Sequence, residues 1–344
     1  MEEKINTKII CTLGPACSEF ETMKNMFEKG MNIARINLSH GTYETLQELI
    51  NTARPLKRKG LKLLIDTKGP EMRIGTFEKN EVELVKGQNF TLTIRGVLGN
   101  EKEVRLRYKI LVNQVKKGDI ILANNGQIKL KVLNVTNTDI VCKVMFGGKL
   151  SNNKSLNVPG IIPTGPYLSE TDKKDIIFGM KNKPDYLALS FVSTPKDIRD
   201  VKKFLKAKKF DKVKIIAKIE NEAGVKNAAE ILDECDGLMV ARGDLGVEIP
   251  LEKIPMIQKK LISLCNVKRK FAIVATEMLE SMTYSLRPTR AEVIDVAYAI
   301  YEEANATMLS GETSVGRDPV LVVDTMYKII REAEKSMYDT KIDL

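Results

Sequence analysis

The stretch VKIIAKIENEAGV, residues 213–225, places a lysine and a glutamate at the end of an apolar run. Lys218 and Glu220 are two residues apart, so their side chains face the same side of an extended strand. The same spacing separates Arg242 from Asp244. Burying a charge costs several kcal/mol unless the charge is paired or binds an ion. Recurrent charges at the ends of apolar runs therefore favour a ligand site over isolated structural salt bridges.

These residue types suit phosphate chemistry. Glu220 and Asp244 could hold Mg²⁺, a hard cation that binds carboxylates together with substrate oxygens. Lys218 and Arg35 are cations that would meet a phosphoryl group. The sequence GDLG, residues 243–246, can open a helical turn whose amide groups bind an anion. Together these features indicate phosphoryl transfer. The chain has no GxxxxGK[ST] motif, which argues against a P-loop enzyme.

Eight short apolar runs, most of them followed by a helical pattern, predict strands along the chain. Each run is nearly continuous, as expected for parallel strands that are buried on both faces. The predicted strands are TKIICTLG, MNIARINLS, LKLLIDT, DYLALSFVS, VKIIAKIE, DGLMVARGD, FAIVATEM and ATMLSGET.

The third predicted strand is the exception, because no helical pattern follows it. Residues 70–163 are short, alternating, β-branched segments separated by glycine and asparagine, which predicts an inserted all-β domain, a β-barrel or sandwich. The remaining residues, 1–69 and 164–344, number 250, and about 250 residues is typical of a (β/α)8 barrel. We therefore predict an α/β chain with a TIM (β/α)8 barrel as catalytic domain and an inserted all-β domain after strand 3. An open doubly wound sheet is the alternative.

In such barrels the chemistry lies at the C-terminal ends of the strands. Taken singly, His40 and Thr276 would more often be ordinary structural residues, and only the constellation favours a site. The polar residues at the predicted strand ends are Arg35, Asn37, Ser39 and His40; Asp66, Thr67 and Lys68; Lys218 and Glu220; Arg242 and Asp244; Thr276 and Glu277; and Ser310 and Glu312.

Composition narrows the class of protein. The net charge of +10 is scattered over many predicted helices without an RNA-binding aromatic motif, so we expect anionic substrates and no nucleic acid. No run of 18 apolar residues is present, and we expect no membrane span. Five unpaired cysteines and no recognisable signal peptide favour a cytoplasmic protein.

Longer motifs carry a resemblance. TKIICTLGPAC, MNIARINLSHG, IDTKGPEMRIG, IIAKIENEAGV, GLMVARGDLGVEIP, VATEMLESM, RPTRAEVIDVA and ATMLSGETSVGRDPV follow one another along the chain. In these stretches the chain closely resembles the pyruvate kinase family. The resemblance implies a β/α barrel with a β domain inserted after strand 3. It also implies transfer of a phosphoryl group from phosphoenolpyruvate to ADP, giving pyruvate and ATP.

The resemblance also implies residue roles. Lys218 would stabilise the moving phosphoryl group, and Thr276 would lie near the methylene carbon of the enolate, where a proton is delivered. Arg35 and Arg73 would be catalytic phosphate contacts. The residues implied to bind phosphoenolpyruvate are Ala241, Arg242, Gly243, Asp244, Thr276 and Lys218, of which the first three would hold the substrate carboxylate through their backbone.

Two kinds of metal and a nucleotide subsite follow from the same resemblance. Glu220 and Asp244 are implied to hold Mg²⁺ or Mn²⁺. Glu71 matches the potassium-dependent members of the family. The potassium-independent members carry lysine at this position. The implied K⁺ ligands are Asn37, Ser39, Asp66 and Thr67, and the implied nucleotide contacts are Arg35, Asn37, His40 and Lys154.

The chain departs from the family pattern in two places. Asn124, Asn125 and Gly126 stand where the family usually has DDG, so closure of the inserted domain through Arg73 is expected to be weaker. The family's C-terminal effector domain has no counterpart, so we expect no sugar-phosphate regulation and a homo-oligomer limited to a dimer through the barrel. The alternatives are a module that binds phosphoenolpyruvate and metal without turnover, and a Mg²⁺-enolate lyase on the same barrel.

Overall fold

The computed structural model describes residues 5–162 and 165–338. In chain order, the strands are β1 (Lys8–Thr12), β2 (Met31–Asn37), β3 (Lys62–Asp66), β4 (Met72–Arg73), β5 (Glu81–Leu84), β6 (Asn89–Thr93), β7 (Glu103–Arg105), β8 (Ile120–Ala123), β9 (Ile128–Val135), β10 (Asp139–Phe146), β11 (Gly148–Ser151), β12 (Ser155–Asn157), β13 (Tyr186–Leu189), β14 (Lys214–Ile219), β15 (Gly237–Ala241), β16 (Phe271–Ala275) and β17 (Ala306–Leu309).

Helices follow most of the barrel strands, as the periodicity predicts. They are α1 (Phe20–Glu28), α2 (Tyr43–Lys57), α3 (Glu170–Lys181), α4 (Pro195–Ala207), α5 (Glu222–Lys226), α6 (Ala228–Asp233), α7 (Arg242–Glu248), α8 (Ile254–Val267), α9 (Arg290–Tyr301), α10 (Gly311–Ser314) and α11 (Pro319–Tyr338). In the described part of the chain, no helix combines the length and the apolarity needed to cross a membrane.

Eight parallel strands close into a barrel in the order β1-β17-β16-β15-β14-β13-β3-β2. The predicted (β/α)8 barrel is therefore confirmed, and the open doubly wound sheet is excluded. Alternate residues of each strand face opposite layers: Ile10 packs inside the barrel, whereas Ile9 and Cys11 pack against the surrounding helices. Burial on both faces explains why the strand sequences are nearly continuous apolar runs.

The lower rim of the barrel is closed by side chains that accept hydrogen bonds from strand amides. Asp185 accepts from the Leu63 N–H at 2.9 Å, and Asp236 accepts from the Ile215 N–H at 2.8 Å. Asn305 does the same for Ala272 at 2.7 Å. These bonds satisfy backbone donors at the start of each strand, so the rim opposite the predicted site has a structural role.

Strands β4–β12, residues 72–157, form what we call the β unit. Seven of its strands make one sheet, in the order β4-β12-β8-β9-β10-β6-β7, and β11 pairs with β5. Phe90, Leu92 and Leu130 are fully buried in an apolar cluster that is separate from the barrel cores. The division of the chain into domains stays a prediction, and its boundary at residues 163 and 164 lies outside the described residues.

Candidate active site

Four charged side chains lie buried at the C-terminal mouth of the barrel. The exposed fraction is 7% for Arg35, 0% for Asp66, 8% for Lys218 and 1% for Glu220. The guanidinium of Arg35 donates to Asp66 Oδ2 through Nε and Nη2, each at 2.8 Å. Its Nη1 donates to the hydroxyl of Thr12 at 2.7 Å. The structure therefore brings together charged residues that lie up to 185 positions apart in the sequence, from Arg35 to Glu220.

Lys218 is the centre of this network. Its ammonium lies 3.0 Å from Asp66 Oδ1 and 3.0 Å from Glu220 Oε1, and it donates to Ser190 Oγ at 2.7 Å. Burial alone would lower the pKa of Lys218, but the carboxylates of Asp66 and Glu220 outweigh it and raise that pKa above its ordinary value. Lys218 therefore keeps a positive charge in a water-poor pocket, where it acts most strongly on an anion.

The negative charge around Glu220 and Asp244 exceeds the positive charge of the neighbouring cations. Burial raises the pKa of Glu220 to about 7; Lys218 opposes this shift and the Asp244 carboxylate adds to it. Burial also raises the pKa of Asp244, against the effect of Lys218. The carboxylate of Asp244 forms no hydrogen bond or salt bridge with any described residue. The mouth thus holds three carboxylates against the two cations Lys218 and Arg35, which fits a site for an added cation.

No three His, Cys, Asp or Glu side chains among the described residues converge as a complete metal site. A divalent ion at Glu220 and Asp244 would therefore take its other ligands from substrate and water, which is usual for Mg²⁺. Glu220 Oε2 also accepts the Phe191 N–H at 2.6 Å, and this bond fixes the orientation of the carboxylate.

Arg242 and Asp244 do not share one side of a strand, contrary to the prediction from their spacing. β15 ends at Ala241, and Arg242 begins α7, so the alternation of an extended chain no longer applies. The Arg242 guanidinium donates to the carbonyl oxygens of Thr276 and Glu277 at 2.7 and 3.1 Å. The side chain of Arg242 therefore braces the end of β16.

Thr276 is held in an unusual backbone conformation. Thr276 and Glu277 are consecutive residues with φ of 67° and 55°, in the left-handed region that costs energy for a β-branched residue. The Thr276 hydroxyl accepts the Gly243 N–H at 2.8 Å and donates to the Ala275 carbonyl at 2.6 Å. These bonds aim the hydroxyl at the start of α7, beside Asp244.

The end of β2 borders a large cavity. Asn37 is half-buried and accepts the Ser39 N–H at 3.0 Å, while Ser39 and His40 are exposed. Burial and the charges of Arg35 and Arg73 lower the pKa of His40, so its imidazole is neutral near pH 7. Arg35, Asn37 and His40 line a cavity of about 1290 Å³ that continues between α1 and α2.

Two of the K⁺ ligands implied by the resemblance are already engaged. Asp66 Oδ2 accepts two bonds from Arg35, and Oδ1 accepts one from Lys218 at 3.0 Å. The single hydroxyl proton of Ser190 goes to the Thr67 carbonyl at 2.6 Å, a shorter contact than its 3.3 Å to Asp66 Oδ1. A cation bound at Oδ1 would share this oxygen with the Lys218 ammonium.

In the β unit, Arg73 forms an ion pair with Glu71, two residues before it in the sequence. It donates to Glu71 Oε2 through Nε at 2.9 Å and Nη2 at 2.6 Å, and to the Asn153 carbonyl at 2.8 Å. Asn124 and Asn125 have φ of 52° and 54° and make a left-handed turn that asparagine tolerates. The Lys154 side chain is half-buried, and its carbonyl accepts the Ile74 N–H.

Two residues after β13 belong to the site although no prediction includes them. Ser190 joins Thr67, Asp66 and Lys218, and Phe191, with φ of 57°, offers its N–H to Glu220. Ser190 lies within the predicted strand DYLALSFVS, and a polar residue between apolar neighbours there was a usable signal. The role of Phe191 rests on its backbone, and the residue type carries no such information.

Comparison with known proteins decides the family. Residues 4–323 match the family model described as the pyruvate kinase barrel domain. The chain belongs to the pyruvate kinase family. A pyruvate kinase of Bacillus licheniformis is 43% identical over 98% of the chain, and one of Geobacillus stearothermophilus is 44% identical over 97%. The chain spans 58% of the length of each of these two pyruvate kinases.

A crystal structure of a pyruvate kinase from Cryptosporidium parvum is similar to this chain, with a TM-score of 0.91 and 37% sequence identity. It covers 98% of this chain, which covers 74% of the pyruvate kinase in the crystal. The sequence-based assignment to the pyruvate kinase family is thus confirmed.

Proposed function

We propose that this chain transfers a phosphoryl group from phosphoenolpyruvate to ADP, giving pyruvate and ATP. The observation that carries the proposal is the buried network of Arg35, Asp66, Lys218 and Glu220, with the unpaired Asp244 beside it. Such a network provides fixed charges for an anion whose charge moves during the reaction. The names of the relatives support the same reaction.

We assign Lys218 to the phosphoryl group in flight. Its charge is maintained by Asp66 and Glu220 and is most useful when negative charge builds up in the transition state. Arg35 and Arg73 would position the same group, and the backbone of Ala241, Arg242 and Gly243 would hold the substrate carboxylate. The Thr276 hydroxyl, oriented by Gly243 and Ala275, would guide the proton to the methylene carbon of the enolate.

We assign Mg²⁺ or Mn²⁺ to Glu220 and Asp244, because burial raises the pKa of both carboxyls, Asp244 adds to the shift of Glu220, and the local carboxylates outnumber the local cations. When bound, the divalent ion would neutralise phosphate oxygens and polarise them. K⁺ would lie against Asn37, Ser39, Asp66 and Thr67 once Lys218 or Ser190 donates elsewhere. Movement of Lys218 towards the substrate would release one acceptor site on Asp66.

We assign ADP to the cavity that begins at Arg35, Asn37 and His40. A neutral His40 can accept or donate one hydrogen bond there. Lys154 would reach this subsite from the β unit. The predicted inserted domain, residues 70–163, which contains the β unit, would act as a lid over the barrel mouth. The reaction would then proceed between the two units, where water is excluded.

We propose a homodimer formed through the barrel. Ile294, Tyr298 and Tyr301 lie at helical spacing on α9 and are 68%, 40% and 51% exposed. An exposed apolar stripe of this kind is typical of an interface. Light scattering should give twice the chain mass, and Tyr298→Lys should reduce it; a monomeric wild type would contradict the proposal.

We propose a cytoplasmic location and no nucleic-acid partner. All five cysteines are buried and free, which suits a reducing compartment. A salt-dependent DNA-binding titration should show no binding at physiological ionic strength.

A coupled assay for pyruvate, with phosphoenolpyruvate, ADP, Mg²⁺ and K⁺, tests the reaction. The wild type should turn over, and Lys218→Met should lower kcat by about 100- to 1000-fold. Lys226→Met, an exposed lysine on α5, is the matched control and should keep wild-type activity. Because Lys218→Met removes the ion pair of the buried Glu220 and one of the two cations that contact Asp66, Thr276→Ala and Thr276→Ser provide a second comparison in which no charge is lost.

In that comparison Thr276→Ala should lose activity, and Thr276→Ser should retain most of it. A folded wild-type protein without turnover would contradict the proposal. If calorimetry then showed binding of phosphoenolpyruvate and metal, the result would favour the binding-module alternative.

A further inference from the structure

The carboxylate of Glu248, the last residue of α7, contacts two other segments of the chain. It accepts a hydrogen bond from Nδ2 of Asn157 at 3.3 Å, and the backbone N–H of Glu222 lies beside it and favours its ionised form. Asn157 ends β12 of the β unit and is 8% exposed. Glu222 begins α5. One side chain thus joins the β unit to the loops that follow β14 and β15.

Each of these three segments carries a residue of the proposed site. Asp244 lies on α7, one helical turn before Glu248, and Glu220 lies two residues before the start of α5. In the β unit, β12 pairs with β4 so that Ser155 lies opposite Arg73. A contact that fixes these segments relative to one another therefore fixes Arg73 relative to the two carboxylates.

The end of α7 also meets the β unit through an apolar contact. A Cβ added at Gly126 would lie 3.4 Å from Val247 Cγ1, so the turn formed by Asn124, Asn125 and Gly126 lies against α7. Val247 and Glu248 are adjacent, and the last turn of this helix contacts the β unit both at β12 and at this turn.

Ending a helix with a largely buried carboxylate costs free energy. No Lys or Arg among the described residues forms a salt bridge with Glu248, and an unpaired buried charge is costly. An apolar residue would pack here at lower cost if α7 needed only burial. The hydrogen bond from Asn157 of the β unit, with the Glu222 N–H beside it, gives the carboxylate a purpose that an apolar side chain lacks.

We propose that Glu248 is a positioning residue that holds the β unit over the barrel mouth in the arrangement used for phosphoryl transfer, a role that rests on the function proposed above. Glu248 acts through Asn157 and the Glu222 N–H and does not touch the substrates. Losing the contact lowers the fraction of molecules in which Arg73 faces Glu220 and Asp244.

Steady-state kinetics of Glu248→Ala, Asn157→Ala and the double variant test the proposal. Each single variant should lose about ten-fold in kcat/KM, the worth of one hydrogen bond to a charged group. The double variant should lose about ten-fold as well, because the same contact is already absent. Glu248→Gln keeps an acceptor oxygen for Asn157 and should recover most of the loss. Glu252→Gln, an exposed glutamate four residues further on, should match the wild type.

Losses that multiply to about 100-fold in the double variant, or single variants without any loss, would overturn the proposal. Amide hydrogen exchange gives a readout that needs no activity. Both single variants should exchange faster than the wild type at β12, and Glu248→Ala should also exchange faster at the first turn of α5. If the wild type has no turnover but exchange increases at both segments, the proposed function fails while the contact stands. Unchanged exchange at both segments would refute the contact itself.

Discussion

The guanidinium of Arg242 donates to the carbonyl oxygen of Thr276 at 2.7 Å, which ties the start of α7 to the end of β16. It also donates to the Glu277 carbonyl, and its Nη1 lies 2.7 Å from Asp295 Oδ1 on α9. Thr276 and Glu277 both have left-handed backbone conformations, which persist only when the surrounding structure holds them. Arg242 supplies that support from outside the substrate pocket.

Arg242→Lys should therefore impair catalysis with little effect on folding. A lysine ammonium cannot reproduce the planar fork that spans two carbonyls and a carboxylate. We expect kcat to fall about ten-fold or more, because the Thr276 hydroxyl is no longer aimed at Gly243. The measurement is steady-state kinetics beside a thermal melt. Arg290→Lys, an exposed arginine, is the control; equal activity of the two variants would disprove the bracing role.

Asp66→Asn should destabilise the fold. The fully buried Asp66 carboxylate neutralises both Arg35 and Lys218, and the charges of Lys218 and Arg35 hold its pKa below the ordinary value against the effect of burial. Removing one partner of a buried ionic network costs about 3 to 5 kcal/mol, because it leaves uncompensated charge. Urea unfolding measures this loss. Asp200→Asn, at a solvent-exposed pair on α4, should cost less than about 1 kcal/mol.

The barrel was predictable because burial on both faces leaves a direct mark on sequence. A strand such as β15, with Leu238 and Val240 facing the helices and Met239 facing the barrel interior, has no polar face. Polar residues at the strand ends then stand out, which is why Lys218 and Glu220 were found. Their contact at 3.0 Å agrees with the two-residue spacing.

Other features of the site could not be predicted from residue types. The direction of Arg242 depends on where β15 stops and α7 starts, and that boundary lies between Ala241 and Arg242. The backbone N–H of Phe191 would serve equally well in another residue. A helical pattern over residues 222–234 divides at Asn227, whose side chain donates to the distant Ser193 carbonyl at 2.8 Å.

The two asparagines of the β8–β9 turn should respond differently to conversion into aspartate. Asn124 Nδ2 donates to Gln127 Oε1 at 2.8 Å and lies 3.4 Å from the Lys149 carbonyl. An aspartate cannot donate, so Asn124→Asp should cost about 1 to 2 kcal/mol. Asn125 Oδ1 accepts the Ser155 hydroxyl at 3.2 Å, and an aspartate keeps that bond. Asn125→Asp should therefore leave the stability unchanged.

Kinetics of the same pair bear on closure of the β unit. Ser155 lies opposite Arg73 in the β12–β4 pairing, so a carboxylate at position 125 adds negative charge near Arg73. We expect Asn125→Asp to lower KM for phosphoenolpyruvate about two- to five-fold, since about 0.5 to 1 kcal/mol is typical of one exposed ion pair. Equal unfolding free energies for both variants, or an unchanged KM for Asn125→Asp, would contradict these assignments.

Glu248 should make the stability of the chain depend on pH. Burial raises the pKa of Glu248 from its ordinary 4.5 to about 7; the bonds from Asn157 and the Glu222 N–H oppose the shift, and the carboxylates of Glu222 and Asp244 add to it. A group whose pKa is higher in the folded state favours folding below about pH 4.5, its unfolded value. This contribution is lost as the pH rises through about 7, where the buried carboxyl must ionise.

Glu248→Gln removes this titration and keeps the size of the side chain. The difference in unfolding free energy between Glu248→Gln and the wild type should therefore move in favour of the variant as the pH rises from about 5 to about 8. Urea unfolding across that range measures the change. Glu252→Gln, which changes an exposed glutamate, is the control for the substitution itself. A difference for Glu248→Gln that is constant with pH would mean that its carboxyl ionises alike in the folded and unfolded states, and would place it in water.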